Sequence, residues 1–114
     1  MNTPRAGRAD LERSAALFAA LGDATRLELV MRLSADGSQS IKRLTRGLTL
    51  TRQAVTKHLE VLARAGLAHS TAAGRESHWS VEAEQLGIAR RYLDLVSATW
   101  DERLTSLEHH LSTR

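Results

Sequence analysis

The sequence contains no cysteine, a single proline and few aromatic residues. The lack of cysteine excludes disulfides and thiolate metal sites. Aromatic side chains make up 4% of the 114 residues, so the core must be built mainly from Leu, Val, Ile and Ala, of which Leu and Ala favour helix. No apolar run approaches the roughly 20 residues that span a bilayer, and residues 1–9 lack the apolar centre of a signal peptide. We therefore expect one mainly helical, cytoplasmic domain with no membrane partner.

Sequence signals of catalysis are missing as well. The chain has no Gly-rich phosphate loop, no Ser/His/Asp set and no cluster of metal ligands, and its five histidines are spread over several predicted elements. The sequence thus predicts a protein that is not an enzyme and has neither catalytic residues, a cofactor nor a metal.

The positive charge is concentrated in one part of the chain. The net charge is only +3, but residues 40–75 contain seven Lys or Arg residues and the single acidic residue Glu60. This segment therefore carries +6 and the remainder −3. Such an asymmetry favours a polyanion on one face, and DNA phosphate is the leading candidate, although charge alone is equally compatible with a solvated basic surface.

Apolar spacing predicts about five helices. Residues 1–9 lack periodicity and are interpreted as a disordered N-terminal arm, which leaves 10–114 as the folded domain. Asp10 is predicted to cap a first helix over about 10–21, and Asp23 a second one that ends at Leu33 with Leu27, Val30 and Met31 inward. The segment 34–38 breaks this helix.

A helix-turn-helix is predicted over about 41–66. A short basic helix over 41–46 is closed by Gly47 and followed by a three-residue turn. Thr51 then opens an amphipathic helix in which Val55, Leu59 and Leu62 share one stripe, with polar side chains on the opposite stripe.

The pattern changes to a period of two after Gly66, which predicts a β-hairpin, or wing, over about 67–81 with its turn at Ala73-Gly74. A long helix follows over about 83–112. Its apolar residues recur every three or four positions, from Leu86 to Leu111, and this seam is longer than its own small domain can cover.

A helix followed by a basic-tipped hairpin suits a DNA duplex, since a helix fits the major groove and a wing reaches a neighbouring groove or the backbone. Arg52 and Gln53 lie in the first turn and match the edges of guanine and adenine, respectively, and Thr56 matches the methyl group of thymine. We interpret these three residues as base contacts. A solvated helix face is the alternative.

Other residues are candidates for contacts with the DNA backbone or a groove. Thr51 can cap the helix or lie near a phosphate, and His58 is either a half-buried packing residue or a phosphate contact. Arg75, at the hairpin tip, can enter a minor groove. The complete predicted set is Lys42, Arg43, Arg46, Thr51, Lys57, His58 and Arg75.

The segment from Leu48 to Leu67, which contains Arg-Gln-Ala-Val-Thr-Lys-His-Leu, resembles the ArsR/SmtB-type winged helix-turn-helix repressors. Leu21-Gly-Asp-Ala-Thr-Arg-Leu27 and Gly74-Arg75 extend the resemblance to residues 11–112. It implies a homodimer assembled from the first and last helices and a two-fold symmetric operator. The dimer interface implied in this way consists of Leu11, Phe18, Leu93, Val96, Trp100, Leu104, Leu107 and Leu111.

Many relatives sense metals, but this chain lacks their ligand patterns. Its short helix has no thiol, and the adjacent His109 and His110 point in different directions. His69 and His78 are predicted to lie opposite each other across the wing, where they form either a polar pair or two ligands of a metal.

The sequence therefore predicts a sequence-specific transcriptional regulator, a dimeric repressor of double-stranded DNA controlled by an unidentified effector or by its own abundance. Two alternatives are a winged helix that binds protein or RNA, and a metal-responsive regulator with a non-standard site of His and carboxylate ligands.

Overall fold

The computed structural model describes residues 7–112, which form five helices and a three-stranded antiparallel sheet. The helices are α1 (Arg8–Leu21), α2 (Ala24–Asp36), α3 (Ile41–Thr45), α4 (Arg52–Arg64) and α5 (Ala83–Ser112). The strands are β1 (Gln39–Ser40), β2 (Ala68–Ala73) and β3 (Glu76–Val81), with β3 in the centre. The predicted helix-turn-helix and hairpin are thus both present.

The first helix begins earlier than predicted. Its N-cap is Gly7, which offers no side-chain cap, and Asp10 lies in the first turn rather than at the cap position. Arg8 and Ala9, assigned by the sequence to a disordered arm, are helical. Residues 1–6 of that predicted arm lie outside the described residues.

The second helix is capped as predicted but buries a different stripe. The Asp23 carboxylate accepts a hydrogen bond from the backbone N–H of Arg26 at 3.0 Å. Leu27 and Met31, predicted to point inward, are 46% and 64% exposed, whereas Leu29 and Leu33 are buried beside Val30. Two apolar stripes share Val30 on this helix, and packing against α4 and β3 selects the one with Leu29 and Leu33. The helix also continues to Asp36, three residues beyond the predicted end.

The core lies where α1, α2, α4 and the sheet meet. Leu17, Leu29, Leu44 and Leu59 are fully buried, and Trp79 closes the core from the sheet. Trp79 is the one aromatic among the buried residues described, and leucines supply most of the rest, as the composition indicated.

The last helix is far longer than the domain on which it begins. Ala89 is its one buried residue among those described, and the helix contacts α1. From Leu93 onward the predicted seam is exposed, and the structure extends over 68 × 30 × 20 Å. The intrachain contacts therefore leave an apolar helix face open.

Candidate nucleic-acid interface

The start of α4 is fixed by a sharp turn and a side-chain cap. Gly47 adopts a φ of 78°, in the left-handed region that favours glycine, and reverses the chain after α3. Thr51 then accepts a hydrogen bond at its Oγ1 from the backbone N–H of Ala54 at 3.1 Å. The capping role predicted for Thr51 is therefore confirmed, and α4 begins at Arg52.

The apolar stripe of α4 anchors this helix in the core. Val55, Leu59 and Leu62 are fully buried, as the spacing predicted. Because these three residues share one face, Arg52 and Gln53 are carried on the outside, where both are exposed. Burial of one stripe thus determines which side chains α4 offers to a partner.

A groove of about 330 Å³ separates the start of α4 from the wing. All three predicted base-contact residues line it, together with Lys42 from α3 and residues from the sheet. The lining residues are Ser40, Ile41, Lys42, Arg52, Gln53, Thr56, Glu76 and Ser77. The structure thus brings together side chains that the sequence could only assign to separate elements.

Thr56 is partly engaged within its own helix. Its hydroxyl donates a hydrogen bond to the carbonyl of Arg52 at 2.8 Å. This bond occupies the polar proton, so apolar contact through the methyl group is the interaction that the geometry favours, as suits a thymine methyl.

The predicted basic side chains on and near α3 and α4 are open to a partner. Lys42, Arg43, Arg46 and Lys57 are all exposed. Arg32 fixes the end of α3, because its guanidinium donates to the carbonyls of Leu44 at 3.0 Å and Arg46 at 2.6 Å. The half-buried Arg32 therefore holds the end of the short helix that carries the exposed basic side chains.

The wing projects Arg75 at its tip. The turn consists of Gly74, with a φ of 64°, and Arg75, which is exposed. The strands pair from Ala73 with Glu76 to Ala68 with Val81. The turn predicted at Ala73-Gly74 therefore lies one residue later.

This register separates the two wing histidines. His69 pairs with Ser80 and His78 with Thr71, so the predicted direct juxtaposition of the histidines is wrong. Each ring instead has its own carboxylate neighbour: His69 Nδ1 contacts Glu82, and His78 Nε2 lies 3.4 Å from Glu76. Within residues 7–112, no group of three or more His, Asp or Glu side chains is arranged to hold a metal ion.

His58 lies on the inner border of α4, in contact with the start of α2. Its Nδ1 is 3.3 Å from Arg26 Nη1 and 3.8 Å from the Asp23 carboxylate. The backbone N–H of Arg26 holds the pKa of Asp23 below its ordinary value of 3.8. Of the two interpretations of His58, packing is the one these contacts favour, and the phosphate contact stays a prediction.

Sequence reasoning missed β1 and Glu76. Two residues of β1 are too few for a period-two pattern, yet Ser40 pairs with His78 and brings α3 beside the wing. Glu76 also lines the groove, and its position beside Gly74-Arg75 in the hairpin is the sequence signal that indicates it.

Among the described residues, every helix is too short or too polar to cross a membrane. The predicted interface residues of the first and last helices are mostly exposed: Leu11 is 44% exposed, whereas Phe18 packs in part against the core.

Comparisons with known proteins agree with this geometry. Residues 21–71 match a family described as a helix-turn-helix domain. The chain is similar to an ArsR-like transcriptional regulator from Rhodococcus sp. RHA1, at 35% identity and a TM-score of 0.73, over 89% of this chain and 94% of the relative. No curated protein gave a significant match.

Two more distant structures share the fold. One is a homodimeric winged helix-turn-helix DNA-binding domain from Mycobacterium bovis, at 23% identity and a TM-score of 0.63, over 90% of this chain and 94% of that one. The other is the AntR antimony-specific transcriptional repressor, at 22% identity and a TM-score of 0.66, over 89% and 92%. The capped helix, basic groove and wing, together with the Rhodococcus relative, show that the chain belongs to the ArsR family of DNA-binding winged helix-turn-helix transcriptional regulators.

Proposed function

We propose that the chain is a homodimeric repressor that binds a two-fold symmetric operator through the first turns of α4. The observation that carries this proposal is the groove in which exposed Arg52 and Gln53 lie beside Lys42, next to a wing tipped by Arg75. A groove lined in this way offers both hydrogen-bonding groups for bases and positive charge for phosphates.

Base recognition is assigned to the side chains at the start of α4. Arg52 can donate two hydrogen bonds to guanine O6 and N7, and Gln53 can pair with adenine N6 and N7. Thr56 supplies a methyl group for thymine. These contacts determine sequence preference, since phosphate contacts carry no base information.

Backbone contacts are assigned to the surrounding charges. Lys42, Arg43 and Arg46 lie on and after α3, and Lys57 lies one turn beyond Arg52. The Thr51 end of α4 offers backbone amides to a phosphate. Arg75 is assigned to a minor groove beside the wing.

The dimer is assigned to α1 and α5. Trp100 and Leu104 are 56% and 53% exposed on a helix face that continues to Leu111. A second copy can cover this face by symmetry, and the M. bovis relative is described as homodimeric. The proposed interface comprises Leu11, Phe18, Leu93, Val96, Trp100, Leu104, Leu107 and Leu111.

We further propose that the protein acts in the cytoplasm by occluding a promoter, without catalytic activity. Its release from DNA depends on an effector or on its own abundance. Repression is the activity named for one structural neighbour, AntR.

Selection from a library of random duplexes tests the proposal directly. We expect one enriched, inverted-repeat sequence whose binding weakens steeply with salt. Arg52→Ala and Gln53→Ala should each relax preference at one position of the site, at a cost of roughly 1 to 3 kcal/mol.

Lys57→Ala is the matched control on the same helix face. It should weaken binding to all duplexes alike and lower the salt slope by about one. If selection yields no enriched sequence, or if Arg52→Ala and Gln53→Ala leave the enriched sequence unchanged, the assignment of α4 as the reading helix is wrong.

A further inference from the structure

Three elements meet at the guanidinium of Arg26. Its Nε donates to the carbonyl of Ala20, in the last turn of α1, at 2.6 Å, and its Nη1 lies 3.3 Å from His58 Nδ1 on α4. Its own backbone N–H is bound by the Asp23 carboxylate, which caps α2. One side chain therefore joins α1, α2 and α4.

The contact with His58 requires one protonation state. A guanidinium has only donors, so Nδ1 must be the acceptor and carry no proton. The ring is then neutral, with its proton on Nε2. If Nδ1 gains a proton, Arg26 and His58 present two donors and two positive charges to each other, and the hydrogen bond is lost.

A second partner is available for the protonated ring. The Asp23 Oδ2 atom lies 3.8 Å from Nδ1, beyond the 2.7–3.2 Å typical of an N–H···O hydrogen bond. The pKa of Asp23 is lowered, above all by the backbone N–H of Arg26, so this carboxylate is charged at neutral pH. A small movement of α4 would bring the protonated ring into a charge-assisted bond with it.

We propose that Arg26 is a positioning residue that fixes α4 relative to α1 through His58, and that a proton on His58 releases this contact. The proposal rests on the proposed function, because it concerns the helix assigned to reading DNA. His58 lies on the same helix as Arg52 and Gln53, and a helix turns as a rigid unit. A change of partner at His58 therefore changes how the first turn of α4 enters the major groove of DNA.

Histidine is the side chain whose ordinary charge change falls between pH 5 and 8, so this is the range in which the proposal is tested. The charged groups that face the ring are Arg26 and Asp23, at the start of α2. The group of α1 at this site is the Ala20 carbonyl, which is uncharged. The neighbours of His58 on its own helix at three and four positions are Val55, Val61, Ala54 and Leu62, which do not titrate.

We call the contacts of Arg26 with Ala20 and His58 the clamp. Histidine-ring NMR tests the clamp without DNA. In ¹H–¹⁵N spectra at pH 8, we expect His58 in the tautomer that is protonated on Nε2, with the signal of a hydrogen-bond acceptor at Nδ1. Arg26→Lys should weaken this bias, since a single ammonium nitrogen replaces the two guanidinium nitrogens that contact Ala20 and His58 separately. A proton found on Nδ1 at pH 8 would overturn the proposal.

DNA binding tests the consequence, with the selected duplex and a scrambled duplex of the same length as probes. For the wild-type chain, the ratio of the two affinities should fall about fivefold to tenfold between pH 8 and pH 5.5, the order of one hydrogen bond. The ratio is informative because an added positive charge strengthens binding to both duplexes.

Three variants separate positioning from general stability. His58→Asn keeps an oxygen acceptor near Nδ1 but cannot titrate, so its ratio should stay constant with pH. Arg26→Lys should already show the lowered ratio at pH 8. His109→Asn, at the far exposed end of α5, should keep the wild-type pH dependence.

If the wild-type affinity ratio stays constant with pH, or if His58→Asn keeps the wild-type pH dependence, the clamp is wrong but the proposed function still stands. Failure to select any duplex would instead contradict the proposed function, and the NMR measurement would then decide the clamp alone.

Discussion

Helices α4 and α5 are both amphipathic, but only α4 has its apolar stripe covered by the rest of the chain. Val55, Leu59 and Leu62 of α4 are fully buried, whereas Trp100 and Leu104 of α5 are more than half exposed. A periodic stripe predicts a helix in both cases. It does not say what covers the stripe.

Length explains the difference. The 13 residues of α4 fit within the domain, whereas the 30 residues of α5 extend to about 45 Å at 1.5 Å per residue. The shorter extents of the molecule are 30 and 20 Å, so much of α5 lies beyond its neighbours. Helix α4 is therefore fixed by this chain's own core, whereas a second copy is the proposed cover for α5.

The free energy of unfolding should distinguish the two apolar stripes most strongly. Leu59→Ala should lower the free energy of unfolding by about 3 kcal/mol, because it leaves a cavity at a fully buried site. Leu104→Ala should cost less than about 1 kcal/mol in dilute, monomeric protein. Urea unfolding at several protein concentrations measures both, and a similar loss for the two variants would contradict the comparison.

The next effect concerns assembly. Leu104→Glu places a charge in the proposed interface twice, once per copy, and should raise the dimer dissociation constant about 30-fold or more, the factor for a loss of roughly 2 kcal/mol. Sedimentation velocity measures the shift. Thr105→Glu adds the same charge on the other side of α5 and should leave the dimer unchanged; an equal effect of the two would place the interface elsewhere.

The sequence predicted α4 well because its signals are local. Thr51 caps the helix that follows it, and the buried stripe repeats within three turns. Both features depend on residues no more than a few positions apart, which a single sequence displays directly.

Nonlocal features were predicted less well. On α2, two stripes were compatible with the spacing, and only contact with α4 and β3 decides between them. In the wing, the turn lies one residue later than predicted, which changes the partner of every residue in the two strands. His69 and His78 therefore lie on the same face of the sheet but are not paired with each other. The Arg26–His58 contact joins residues 32 positions apart, and no local pattern indicates it.

A smaller loss of stability is expected when the cap at the start of α4 is removed. Thr51→Ala removes the cap of Ala54 and should lower the free energy of unfolding by about 1 kcal/mol, whereas Thr51→Ser should retain most of it. Thr105→Ala, at an exposed position within α5, is the matched control and should change stability by less than about 0.5 kcal/mol. Thermal or urea unfolding measures the series, and equal losses at Thr51 and Thr105 would argue against a cap that stabilises α4.

The smallest effect concerns the support that α4 receives from α2 and that the exposed part of α5 lacks. The pKa of Asp23 is lowered from 3.8, first by the Arg26 backbone N–H and further by the charge of Arg26, against a desolvation that raises it. A lowered pKa in the folded state means that the carboxylate adds stability above pH 3.8, and that this stability is lost as the pH falls through the folded value. Asp23→Asn keeps a cap but cannot ionise, so the stability difference between wild type and variant should be present at pH 6 and shrink in acid. Urea unfolding of both proteins across the acidic range measures it, and a difference that stays constant with pH would show that the charge of Asp23 contributes nothing to the stability of the fold.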